Sequence, residues 1–150
     1  VEYEILECDP AFADTAAFCE RHAVSANQAA NAILIKSRKG DPRFGLTVVT
    51  ADCKLKNRTM RQLLETSKAS FASAEETRNI TGMMIGGVSV FGLPDDLPIW
   101  IDSHVMAAPT VVIGGGSRSI KIRLSPKELT KLPTAIVVDE LASLVQPRTT

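Results

Sequence analysis

The side chains that most often do chemistry are sparse in this sequence. Its 150 residues include two histidines, His22 and His104, and three cysteines, Cys8, Cys19 and Cys53. The cysteines are odd in number, far apart and without a C-x-x-C spacing. They suggest neither a disulfide framework nor a zinc site, and read as buried or half-buried thiols. No serine sits in a G-x-S-x-G elbow. Asp102-Ser103-His104 has the composition of a hydrolytic triad, but neighbouring residues of a strand point to opposite faces, so the three are not expected to converge on one atom.

What remains is backbone. Gly86-Gly87 and Gly114-Gly115-Gly116 can turn N–H groups toward a carbonyl or phosphate oxygen, as nests and oxyanion holes do. The stretch 81–98, TGMMIGGVSVFGLPDDLP, carries four of the nine glycines and two prolines among regularly placed apolar residues. Glycine lets another molecule approach the peptide plane closely, so this stretch predicts a pocket wall; bending a sheet is the alternative use of the same residues.

The elements that must position these segments are short. Residues 1–7 alternate weakly and predict an edge strand. Asp9-Pro10 predicts a helix start, with Phe12, Ala16, Cys19 and Ala23 on an apolar face that covers a sheet. Ser25 and Gln28 fit a capping box for a second short helix. Residues 32–35 predict a buried strand ending at Lys36, the turn-rich segment 38–45 follows, and 46–50 completes a hairpin. Residues 57–67 predict a helix with Met60, Leu63 and Leu64 inward. Ser73 and Glu76 form another capping box for a helix ending near Gly82. Strands are expected at 99–102, 110–113, 119–124 and 135–138, with a short helix opened by Ser125-Pro126-Lys127-Glu128 and fraying at 147–150. This order predicts a single α/β domain over 1–150: a mixed, strongly bent β-sheet flanked by short helices, with glycines at the bends.

Composition narrows the classes. The chain is 45% hydrophobic and 23% charged with zero formal net charge, which argues against broad nonspecific nucleic-acid binding. Nine basic residues stand against three acidic ones between Lys36 and Lys68, enough for a few phosphates or for a solvated helix face and loop. No apolar run is long enough for a membrane span and the first residues lack signal-peptide order, so the expected location is cytoplasmic.

Several motifs occur in a recognisable order: Phe71-Ala72-Ser73-Ala74-Glu75-Glu76, Thr81-Gly82, Gly86-Gly87-Val88-Ser89, Phe91-Gly92-Leu93-Pro94, Leu97-Pro98-Ile99-Trp100-Ile101-Asp102 and Gly114-Gly115-Gly116. Together they resemble the YbaK family, the prolyl-tRNA synthetase-associated or aminoacyl-tRNA deacylase domain, over roughly 23–138. The resemblance implies a mixed, barrel-like sheet and trans-editing: hydrolysis of a mischarged aminoacyl-tRNA, with prolyl-tRNA carrying cysteine or alanine as the usual substrates. It implies no cofactor and no metal. Its partners would be the acceptor end of an aminoacyl-tRNA and a synthetase. The alternative is a non-catalytic module that binds the tRNA end.

In that family a lysine follows a short apolar stretch and contacts the terminal phosphate or the substrate. Lys36, in Leu34-Ile35-Lys36, is the matching catalytic candidate, with Arg38 and Lys39 as neighbours in an alternative register. The substrate loop would be Gly86, Gly87, Ser89, Phe91 and Gly92, with Asp102 ending the next strand beside it and Gly114, Gly115 and Gly116 opposite. Val90 replaces the proline of many relatives, and Lys121 stands near an acidic position of some.

Overall fold

The computed structural model describes residues 2–145. Its strands are β1 (Glu4–Glu7), β2 (Ala30–Ser37), β3 (Phe44–Thr50), β4 (Cys53–Leu55), β5 (Ala69–Phe71), β6 (Ile99–Asp102), β7 (Val111–Gly114), β8 (Ile120–Leu124), β9 (Ala135–Val138) and β10 (Ala142–Leu144). The helices are α1 (Thr15–His22), α2 (Asn57–Leu64), α3 (Ala74–Thr81), α4 (Ser103–Met106) and α5 (Pro126–Leu129).

Three sheets form. The largest runs β5-β2-β3-β6-β9; the second runs β1-β8-β7; β10 and β4 make a two-stranded ribbon. The β2–β3 hairpin is antiparallel, whereas β3, β6 and β9 run parallel to one another. The mixed α/β architecture expected from the sequence is present, but the sheets do not close into a barrel. β8 pairs with both β1 and β7 instead of extending the large sheet, and among the described residues an isolated parallel bridge between Ala29 and Val112 links the two layers.

Strand periodicity explains why the large sheet is apolar on both faces. Leu34, Val48, Ile99 and Ile101 enter the core shared with Val111, Ile113 and Ile122 of the smaller sheet. Their neighbours Ile35, Val49 and Trp100 enter a second core against Met60 and Leu64 of α2 and Leu141. A third cluster, Cys8, Ala13, Phe18 and Val112, lies under α1.

Local chemistry sets several boundaries. Asp9 caps a 3-10 turn at Pro10–Phe12, and the chain restarts as α1 after Asp14, so the expected long first helix is broken. The inward residue of α1 is therefore Phe18, while Phe12 and Cys19 are half-buried and Ala23 is exposed. The side chain of Ala16 lies outside the described residues, as do Val1 and the fraying expected at 147–150. The Ser73–Glu76 capping box forms and Gly82 ends α3 in the left-handed conformation, as the sequence indicated. Neither Ser25 nor Ser125 makes a side-chain cap. Among the described residues no helix is long and apolar enough to cross a membrane.

Candidate active site

The two glycine segments meet. The Gly116 N–H donates to the Gly87 carbonyl at 2.8 Å. A Cβ on Gly114 would stand within 3.0 Å of the Val88 carbonyl oxygen and 2.9 Å from its carbon, and one on Gly87 would stand 2.6 Å from the Ser117 carbonyl carbon. Glycine is required here because two backbones pass at a separation no side chain fits.

Cations fasten this wall from behind. Lys121 donates to the Gly86 carbonyl at 2.9 Å, and Arg118 donates to the Ile85 carbonyl at 3.0 Å while also binding Asp14 and the Pro10 carbonyl. Lys121 is only 6% exposed, unusual for lysine, and its ammonium lies 5.7 Å from the centre of the Phe18 ring. Burial pushes that ammonium down from the ordinary lysine range. Sequence reasoning treated this position only as a departure from the family pattern; its inward direction depends on the pairing of β8 with β7 and β1.

Not every glycine N–H is available. Gly87 donates to Met84, Gly115 to Ile120 and Gly116 to Gly87, so these three are committed inside the protein. The wall is a rigid backbone surface more than a row of open donors.

Lys36 lies on β2, opposite Ser70 and Phe44 on the neighbouring strands. Its ammonium binds both carboxylate oxygens of Glu76, at 2.7 and 2.9 Å. Glu76 also accepts from the Ser73 N–H, so one carboxylate caps α3 and holds Lys36. The hydrogen bond from Lys36 draws the Glu76 carboxyl down to about 2. The alternatives Arg38 and Lys39 are exposed. In the basic stretch, Arg58 and Arg61 line a cleft with Gln62, Thr66 and Ser67, and the Arg61 Nε is buried with no hydrogen-bond partner among the described residues.

Of the remaining loop residues, Ser89 is buried and its hydroxyl accepts from the Phe91 N–H at 3.3 Å. Phe91 is half-buried, with its ring 6.4 Å from that of Tyr3, and lines a cleft with Gly92, Leu93, Ile99 and Leu132.

Asp102 is fully buried. It ends β6 and caps α4, so the flat-strand premise applied to residues 102–104 fails. One carboxylate oxygen accepts from the His104 backbone at 3.3 Å and lies 2.7 Å from His104 Nδ1; the other accepts from Ala142 N–H at 3.0 Å. Cys53 comes near this pair, but burial pushes its thiol up, which does not prepare it as a nucleophile.

The structure is a mixed α/β layer fold in which a glycine-rich loop packs against the end of β7 and the turn after it. The chain belongs to the aminoacyl-tRNA editing domain family, matching it over residues 9–132. It is 32% identical over 130 residues to the uncharacterized protein YwhH of Bacillus subtilis (strain 168), covering 87% of this chain and 81% of that protein. A 76-residue stretch, 51% of this chain, is 34% identical to the Proline--tRNA ligase of Bacillus licheniformis and spans 13% of that enzyme. Among solved structures, the hypothetical protein APE2540 has the same fold, with a TM-score of 0.84 at 22% identity over 95% of this chain and 93% of the other. A candidate trans-editing enzyme for prolyl tRNA synthetase matches with a TM-score of 0.79 at 26% identity, covering 91% of this chain and 85% of the other.

Proposed function

We propose that this protein is a cytoplasmic trans-editing hydrolase that deacylates mischarged aminoacyl-tRNA, with Cys- or Ala-tRNA(Pro) as its substrate class. The observation that carries the reading is the braced wall of Gly86-Gly87 against Gly114-Gly116 in a chain of the editing-domain family. An aminoacyl ester is already activated, so the site has to position water and stabilise the oxyanion. Water adds to the ester carbonyl carbon, the bond to the ribose oxygen breaks, and the proton lost by water ends on the released 3′ hydroxyl. Gly86, Gly87, Ser89, Phe91 and Gly92 would contact the aminoacyl end, with Gly114, Gly115 and Gly116 facing them. Lys36 would hold the 3′-terminal phosphate while paired with Glu76. Asp102, fully buried with both carboxylate oxygens engaged by His104 and Ala142, would act by fixing the end of β6. The basic stretch from Lys36 to Lys68 would receive acceptor-end phosphates.

A second reading has its own support. The commitment of three glycine N–H groups and of the Lys36 ammonium to internal partners is also what a binding module without turnover would display. Single-turnover deacylation and equilibrium binding, measured on the same mischarged tRNA, separate the two. Hydrolysis faster than the uncatalysed loss supports the enzyme; tight binding that leaves the ester intact overturns it in favour of the module.

A further inference from the structure

We propose that Cys53, Asp102 and His104 form a binding site for a zinc-class divalent cation. The three arrive from separate segments: Cys53 opens β4, Asp102 ends β6, and His104 lies in α4. One ligand atom from each, a thiol sulfur, a carboxylate oxygen and an imidazole nitrogen, lies within 4.8 Å of the other two. Tetrahedral zinc with bonds of about 2.0–2.3 Å sets its ligand atoms roughly 3.5 Å apart. The cluster therefore reaches coordination geometry by movements on the order of an ångström, chiefly the opening of the 2.7 Å contact between Asp102 and His104.

The surroundings suit a cation. Asp102 is held through its second oxygen by the Ala142 N–H, and the Thr50 hydroxyl donates to the Cys53 sulfur at 3.2 Å. Outer contacts of this kind orient metal ligands. A thiolate and a carboxylate neutralise a dication, and the imidazole adds a neutral donor. Sulfur selects zinc over magnesium or calcium. Binding replaces the thiol proton with the metal and releases that proton to solvent. His104, 42% exposed at its side chain, borders a cleft with Asn27, Thr50, Asp52 and Leu144, which leaves the fourth position open to water or an external ligand. Such a site would assign Asp102 to the cation instead of the substrate loop, and it shares no residue with the glycine wall.

The test uses the full chain, reduced and stripped of metal, titrated with Co²⁺ and then Zn²⁺. One equivalent of Co²⁺ should produce a sulfur-to-cobalt charge-transfer band, which Zn²⁺ then abolishes. Cys53→Ser should eliminate the band, His104→Gln should weaken binding by more than about tenfold, and Cys8→Ser/Cys19→Ser should leave the band unchanged. Asp102→Asn is unsuitable because it also disturbs the α4 cap. The proposal is overturned by the lack of a stoichiometric site in the wild-type chain, by undiminished binding in both Cys53→Ser and His104→Gln, or by loss of the band in the Cys8/Cys19 variant.

Discussion

Gly114→Ala tests whether the glycine wall is a structural necessity. The new Cβ would stand 2.9 Å from the Val88 carbonyl carbon, 3.1 Å from the Gly87 carbonyl carbon and closer still to the Val88 oxygen. Ordinary contact begins near 3.4 Å, so the backbones must part by half an ångström or more. Each neighbour is backbone, and Gly114 sits in a strand paired with β8, so no side chain can rotate away. Overpacking costs about 1–3 kcal/mol, and this geometry belongs at the upper end. For a chain of this size, about 3 kcal/mol lowers Tm by roughly 6–12 °C. Gly82→Ala is the control: its φ of +74° disfavours alanine, but nothing among the described residues lies within 4 Å of the added carbon. That substitution should cost about 1 kcal/mol. Urea denaturation of both variants measures the difference. If Gly114→Ala loses no more stability than Gly82→Ala, the close-packed wall is not the reason glycine stands there.

Other substitutions probe the cations and their partners. Lys36→Ala should sharply lower deacylation while circular dichroism shows an intact fold; a wild-type rate would remove Lys36 from the proposed site. Glu76 has its carboxyl depressed from 4.5 to about 2 in the folded chain. Its contribution to stability is therefore present above about pH 4.5 and lost as pH falls toward 2. Glu76→Gln should remove that part of the acid dependence, as comparative acid unfolding would reveal. Lys121 is depressed from 10.5 by burial, so the unfolded chain binds its proton more tightly. Wild-type stability should accordingly rise toward pH 10.5 relative to Lys121→Met, and a difference independent of pH would contradict the assignment. Losing the hold on the Gly86 carbonyl should also slow deacylation by Lys121→Met.

Local signals carried much of the architecture. The β2–β3 hairpin follows from two apolar runs around a Gly- and Pro-bearing turn, and α3 is bounded by the Ser73–Glu76 box and Gly82. The strands of three residues, β4, β5 and β10, are too short to show periodicity and owe their place to partners such as Ile35 and Leu55. Ser25 and Ser125 match the capping pattern without forming the bond, whereas Asp9 and Asp102 do cap equally short helices, so the pattern alone does not decide it. At the site, the glycine clusters were legible by composition, but which N–H groups remain available depends on how the segments meet. The grip of Glu76 on Lys36 spans 40 residues. The approach of Cys53 to Asp102 and His104 likewise joins distant segments, so spacing within the sequence cannot disclose it.

The central claim is most directly tested by multiple-turnover deacylation, with wild-type protein substoichiometric to tRNA(Pro) charged with cysteine, alanine or proline. The account predicts rapid loss of the cysteinyl or alanyl ester with the prolyl ester spared. Uncatalysed rates for both mischarged species would contradict it.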